Sequence, residues 1–188
     1  AFSSFRGAKS QRGQDVLIYG ATGSIGSAAV QIAKNLGLKV TAVCGTNHVE
    51  TVKALGADRV IDYQTEDFTK DHQKYDLVLD AVGKSSFRRC RRLLKPKGIY
   101  SSSDVGLMWH GPMLALITPL FRGRKVLFAI PHRDPEGIKY LKGFIESGEY
   151  QPLIDRRYPL DQIVEAYRRA ESGQKVGNIV LTVGSHGG

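Results

Sequence analysis

The stretch DVLIYGATGSIGSAAVQIAKNL, Asp15 to Leu36, decides the fold. Val16, Leu17 and Ile18 form an apolar run of buried-strand length. Gly20, Gly23 and Gly26 follow at three-residue spacing. Apolar positions then recur at Ile25, Ala28, Ala29, Ile32, Ala33 and Leu36, which is helical period. A strand therefore runs into a glycine turn that opens a helix, the context in which a dinucleotide fingerprint works. Gly20 suits a tight turn out of the strand. Gly23 has no Cβ, so a pyrophosphate can approach its backbone, and Gly26 allows the helix to pack closely on the sheet. The free N–H groups of the first turn, around Ser24 and Ile25, then meet the phosphates. The spacing is G-x-x-G-x-x-G rather than the commoner G-x-G-x-x-G.

Working outward, strands and helices alternate. Ala1 to Gln14 reads as the tail of a helix or linker leading into the domain. Lys39 to Cys44 is a second strand, and Thr46 to Leu55 a helix with Thr46 or Asn47 as its N-cap. Arg59 to Asp62, Tyr75 to Ala81, Gly98 to Ser102 and Lys125 to Ile130 are further strands. Between them lie a weak helical turn at Glu66 to His72 and a helix at Ser85 to Leu94, stopped by Pro96 and Gly98. Pro135 to Ser147 is another helix, closed by Gly148. Asp104 to Arg124, with its Met, Trp and Phe, suits a loop and helix against a neighbouring surface. This is the pattern of an α/β doubly wound parallel sheet (Rossmann), strand order 3-2-1-4-5-6. Residues 15–149 form that domain and 1–14 lead into it. Residues 150–188 break the rhythm as a strand (Leu153 to Tyr158), a helix (Asp161 to Ala170, capped by Asp161) and a last strand (Asn178 to Val183).

Composition narrows the classes. The 188 residues can bury a full core. The first residue is Ala1 rather than Met, so the chain reads as an excised domain or a processed product. No apolar run reaches the roughly 18 residues of a membrane span, and no secretory signal pattern is present. Cys44 and Cys90 are the only cysteines and sit in apolar contexts. They fit a reducing compartment, the cytoplasm, and cannot build a Cys-rich zinc site. The five histidines show no metal-ligand spacing, so no metal site is expected. The net charge of +9 favours anionic partners such as a phosphorylated cofactor.

The end of the second strand tells which dinucleotide. An acidic residue there binds the 2′-hydroxyl of NAD. This chain instead has Cys44, Gly45, Thr46, Asn47 and His48, with no carboxylate before Glu50. Without that carboxylate a 2′-phosphate is not repelled. Thr46 and Asn47 can donate hydrogen bonds, and a protonated His48 adds charge. NADP(H) is therefore expected ahead of NAD(H). A helix cap alone would also account for Thr46 and Asn47.

The blocks GATGSIGSAAVQIAKNLG, VTAVCGTNHVETVKALGADRVIDY, YDLVLDAVG and LLKPKGIY together resemble the nucleotide-binding half of the medium-chain dehydrogenases/reductases. The similarity is to the quinone-oxidoreductase-like, zinc-binding dehydrogenase branch, and DRRYPLDQIVEAYRRAESGQKVGNIVLTV resembles that branch's C-terminal segment. The resemblance implies NADP(H)-dependent hydride transfer to a carbonyl, quinone or enone, and a homodimeric intact protein. It places Thr22, Ser24 and Ile25 at the pyrophosphate, and Thr46, Asn47, His48 and Tyr63 at the 2′-phosphate. Val82 and Gly83 lie along the ribose. Ser101, Ser102 and Ser103 with Phe128, Ala129 and Ile130 line the nicotinamide, and Gly177 and Asn178 match a late cofactor contact. Many relatives carry an Arg or Lys in the second-strand loop, where this chain has Asn47 and His48. The family also has a GroES-like domain that holds the substrate site and any zinc, and this chain contains none of it before Ala1. The C-terminal segment normally rejoins that domain.

Other readings compete. Arg88, Arg89, Arg91, Arg92, Lys95 and Lys97 could contact nucleic acid. Phe87, Cys90, Leu93 and Leu94 have helical spacing, however, which leaves the arginines on a solvated outer face. Gly83-Lys84-Ser85 lacks the upstream glycine of a P-loop, since Val78 stands there. Asp80 ends an apolar strand, which favours a hydrogen-bonded structural role over a catalytic one. A dinucleotide-binding module that senses redox state without chemistry is the remaining alternative.

Overall fold

The structure is a computed structural model and describes residues 1–102, 123–128 and 134–183. Six parallel strands make the main sheet: β1 (Asp15–Tyr19), β2 (Lys39–Cys44), β3 (Arg59–Asp62), β4 (Tyr75–Asp80), β5 (Leu94–Ser102) and β6 (Lys125–Phe128). Their order is β3-β2-β1-β4-β5-β6, the order expected from the sequence. Val16, Leu17 and Ile18 are fully buried, because a central parallel strand is covered on both faces.

One face is covered by α1 (Phe2–Gly7), α2 (Ser24–Asn35), α3 (Val49–Ala54) and α5 (Pro135–Glu146). Phe5, Val30, Ile32, Val52 and Phe144 pack there against Val16, Ile18 and Val40. The other face carries Leu17, Val43, Ile61 and Val78 beneath Phe68, Cys90 and Leu93, with α4 (Phe87–Cys90) above them. Each fully buried Val, Leu or Ile contributes about 1.5–3 kcal/mol, so these two layers hold the sheet. At its amino edge Lys95 bridges Asp15 at 2.7 Å and Asp76 at 2.8 Å.

The C-terminal segment forms a separate two-stranded parallel sheet. Strand β7 (Ile154–Pro159) connects through α6 (Ile163–Glu171) to β8 (Asn178–Thr182). Arg169 clasps Asp155 with two hydrogen bonds, of 2.8 and 2.9 Å. This fork holds the Asp155 carboxyl below its ordinary range.

Several local expectations are corrected. Thr46 and Asn47 do not cap the third helix. Thr46–His48 is a 3-10 turn, α3 starts at Val49, and neither has a side-chain cap. Asp161 does not cap α6 either, because Leu160–Gln162 forms a 3-10 turn before it. The helix read over Ser85 to Leu94 is α4, capped by Ser86, followed by a 3-10 turn at Arg91–Leu93. Strand β5 starts at Leu94, earlier than Gly98, and is irregular where Pro96 removes a donor and Lys97 has φ 69°. Most of the run read as a loop and helix from Asp104 to Arg124, together with Ser103, Ala129 and Ile130, lies outside the described residues.

Candidate functional site

The chain crosses to opposite faces of the sheet from β1 and from β4, which are neighbours. A parallel sheet opens a crevice at such a point, outside the carboxyl ends of its strands. Four loops meet there, and each has a distinct physical basis.

The glycine turn comes first. Gly20 leaves β1 at φ +83°, and its N–H and that of Ala21 both donate to the Val43 carbonyl at 3.1 Å. A Cβ on Gly20 would stand 1.9 Å from Val82 Cγ2, so Val82 lies across the turn. A Cβ on Gly26 would stand 2.0 Å from the Gly20 carbonyl oxygen, so α2 rests directly on the turn. Gly23 differs, with φ −74° and an added Cβ in ordinary contact with the Gly20 oxygen at 3.5 Å. Protein packing thus accounts for Gly20 and Gly26 and leaves room in front of Gly23. The first intrahelical bond runs from Ser27 N–H to Gly23 O at 2.9 Å. The N–H groups of Ser24, Ile25 and Gly26 precede it and point out of the helix start. Ile25 is 41% exposed, unusual for an isoleucine beside a core.

The second loop comes from the far end of the chain. Gly177 forms a β-bridge with Gly23, and its N–H donates to Thr22 O at 2.6 Å. The Ser24 hydroxyl donates to Gly177 O at 2.7 Å. The Lys175 ammonium donates to Ser24 Oγ at 3.0 Å and to Gly177 O at 2.8 Å. Gly177 must be glycine, since at φ +74° a Cβ would meet Leu153 O at 2.1 Å. Asn178 spends both its backbone N–H and its side-chain amide on Leu153 O. Sequence reasoning singled out Gly177 and Asn178 and missed Lys175. Its one signal was that Lys175 is the only lysine after Lys142, two residues before a glycine.

The third region is the end of β2. Gly45 is buried, and Thr46 and Asn47 are exposed. The Thr46 hydroxyl donates to Asp62 Oδ2 at 2.5 Å, and Thr46 N–H donates to the Gln64 side chain at 3.0 Å. A Cβ on Gly45 would lie 3.2 Å from the Tyr63 hydroxyl, which brings Tyr63 to this loop. The acidic group that β2 lacks therefore arrives from β3, because Cys44 and Asp62 are register partners. Burial, with the charge of Asp62, pushes the Cys44 thiol up to about 11, so it stays protonated and unreactive. Beside this loop a cavity of about 420 Å³ is lined by Tyr19, Tyr63, Phe68 and Arg89.

The fourth region follows β4. Asp80 is completely buried. Its carboxylate accepts N–H bonds from Val82 at 3.0 Å, Gly83 at 2.8 Å and Ser85 at 2.8 Å. The loop is thereby folded around one carboxylate, which turns Val82 outward to 39% exposure. On the next strand, Ser101 is fully buried and its hydroxyl bonds to Ser4 Oγ on α1, so its side chain does not reach the crevice. Ser102 pairs in register with Phe128 at the end of β6. Among the described residues, no group of three or more His, Cys, Asp or Glu could hold a metal ion.

The structure therefore brings Gly20, Thr22, Gly23, Ser24, Ile25 and Gly26 together with Gly177. It joins Gly20 to Val82 and Gly45 to Tyr63. No described helix is long and apolar enough to cross a membrane.

Comparison with known proteins gives this arrangement a family. Residues 55–181 match the family model described as zinc-binding dehydrogenase. The chain is 33% identical over 173 residues to the 2-methylene-furan-3-one reductase of Solanum lycopersicum, covering 90% of this chain and 40% of that protein. It is 30% identical over 187 residues to the mitochondrial NAD(P)H oxidoreductase RTN4IP1 of Drosophila melanogaster, covering 88% of this chain and 45% of that protein. It superposes on the quinone oxidoreductase of Coxiella burnetii with a TM-score of 0.84 at 25% identity, covering 96% of this chain and 56% of that one. The chain thus spans about half the length of these relatives. It belongs to the zinc-binding dehydrogenase family, within the quinone-oxidoreductase-like branch of the medium-chain dehydrogenases/reductases.

Proposed function

We propose that this chain is the NADP(H)-binding part of an oxidoreductase that moves hydride between nicotinamide and a carbonyl, quinone or enone. The observation that carries the reading is Gly23. It stands at the start of α2 with room for a side chain and no structural demand for glycine, where a pyrophosphate needs close approach. The nicotinamide ring, once bound, supplies the hydride chemistry. The chain's own residues bind and orient it. Thr22, Ser24 and Ile25 take the pyrophosphate through backbone N–H groups. Gly45, Thr46, Asn47, His48 and Tyr63 take the 2′-phosphate end. Val82 and Gly83 lie along the ribose, held by Asp80. Ser102 and Phe128 belong to the nicotinamide end, with Ser101 acting through its backbone only. The names of the relatives, a furanone reductase and NAD(P)H and quinone oxidoreductases, support this substrate class.

Ile163, Val164 and Tyr167 leave an apolar stripe exposed on α6. In this reading, the part of the relatives' length that this chain does not span covers that stripe. The two buried, free cysteines suit a reducing compartment such as the cytoplasm.

Calorimetric titration with NADPH and, separately, NADH tests the reading. NADPH should bind more tightly than NADH, and Gly23→Val should abolish binding of both with little change in thermal stability. Full binding by Gly23→Val would remove the pyrophosphate from this turn.

A further inference from the structure

We infer that Lys175 is a diphosphate-binding residue, a side-chain cation that the C-terminal segment delivers to the start of α2. The inference rests on the nucleotide reading above and adds a residue to it that neither the glycine pattern nor the family resemblance singled out.

Three observations carry it. The Lys175 ammonium stands 3.0 Å from Ser24 Oγ, at the first residue of a 12-residue helix. That helix end carries the positive pole of the helix dipole, and its first turn contains no acidic residue. Lys175 also makes no salt bridge with any carboxylate among the described residues; its bonds are to a hydroxyl and to the Gly177 carbonyl. A cation held at the wrong end of a helix, beside neutral partners only, lowers its energy when an anion arrives. The room in front of Gly23 is where the anion would sit.

The fixed geometry strengthens the assignment. Lys175 is half-buried rather than free in solvent. Gly177, two residues on, is locked to the turn by its bridge to Gly23 and its bond to Thr22 O. The lysine root is therefore anchored to the same backbone that would bind the phosphates. Asn178, which the family pattern points to, is occupied with Leu153, whereas the Lys175 ammonium reaches the turn at Ser24.

The consequence is a distinctive ligand dependence. Lys175 should discriminate by diphosphate, not by adenine or by the 2′-phosphate. The test uses this chain with NADPH, NADH, ADP-ribose and, as a ligand without phosphate, adenosine. Lys175→Gln should weaken NADPH, NADH and ADP-ribose alike by about 10- to 100-fold, as expected for loss of a charge-assisted bond. Adenosine binding should change less than about twofold. Raising ionic strength should weaken ADP-ribose binding to the unsubstituted chain more than to Lys175→Gln, because one screened charge pair is gone. Lys175→Arg should recover most of the affinity, and the Tm of both variants should stay close to that of the parent.

The failures separate. If the unsubstituted chain binds neither NADPH nor NADH, the nucleotide reading falls and the lysine assignment with it. If it binds them and Lys175→Gln binds ADP-ribose equally well, only the lysine assignment is overturned. A Tm drop in Lys175→Gln with equal losses for adenosine and ADP-ribose would make Lys175 a tether for the C-terminal segment, which also overturns it.

Discussion

The Tyr100 hydroxyl, on β5, donates to the Asp80 carboxylate, on β4, at 3.0 Å, with both residues buried. That bond complements the three backbone N–H groups on the same carboxylate and couples the post-β4 loop to the sheet. Tyr100→Phe should cost about 1–2 kcal/mol in urea unfolding, one hydrogen bond to a charged group. Asp80→Ala should cost about 3–5 kcal/mol, because four donors lose their acceptor together, and it should weaken nucleotide binding by loosening Val82 and Gly83.

Alkaline pH should expose the same pair. Burial first, and then the charge of Asp80, push the Tyr100 hydroxyl well above its ordinary value. Tyr75 is raised too, by burial and by Asp71. A raised folded-state value means the folded chain holds protons that the unfolded chain releases. Stability is therefore full below about pH 10, the unfolded tyrosine value, and declines above it. The urea midpoint should fall as pH rises above about 10, and the fall should be shallower in Tyr100→Phe.

Gly23 and Gly26 lie three residues apart and should respond oppositely. Gly26→Ala places a Cβ 2.0 Å from a backbone oxygen that cannot swing away, so it should destabilise by about 2–4 kcal/mol. Gly23→Ala makes a 3.5 Å contact at an ordinary φ and should change stability by less than about 0.5 kcal/mol. Its effect should show in nucleotide titration, as a loss of at least about tenfold. Paired denaturation and binding curves for the two variants check this.

Asp62 should tune the choice between NADPH and NADH. Its carboxylate reaches Thr46 from β3 and brings negative charge to the β2 end. Asp62→Asn should raise the ratio of NADPH to NADH affinity about 3- to 10-fold, the effect of removing one nearby charge at intermediate dielectric. An unchanged ratio would place the 2′-phosphate away from this loop.

Acid should release the C-terminal sheet. The hydrogen-bonded Arg169 fork holds Asp155 below its ordinary range. A depressed carboxyl contributes stability above its unfolded value, near about 4, and loses it as pH falls through the folded value. Hydrogen exchange of β7 and β8 should speed up below about pH 4 before that of β1 and β4. Arg169→Ala should bring that acceleration to higher pH.

Much of this was legible because the signals are local. Val16 to Ile18, three spaced glycines and a 3.6-residue apolar repeat specify β1, the turn and α2 within one stretch, and the strand order follows from alternation and crossover handedness. What escaped depends on residues distant in sequence. Thr46 reads as a cap from its neighbours, but Asp62, on the adjacent strand, takes its hydroxyl. The family resemblance puts Ser101 at the nicotinamide, but the pleat turns its side chain toward Ser4, 97 positions away. Lys175 carries only the faint mark of a lone lysine two residues before a glycine, since its meaning comes from the turn that Gly177 docks against.

That docking also sets an order of events during synthesis. Ser24 and Gly177 are 153 residues apart. At roughly 5–20 residues per second the ribosome needs about 8–30 s to travel between them. For that interval the nascent chain can have its first strand, turn and helix in place while the Thr22 carbonyl and the Ser24 hydroxyl still face water. The two halves of the cradle are thus made at different times, so a ribosome-stalled chain ending before Gly177 would present a fingerprint without its clasp.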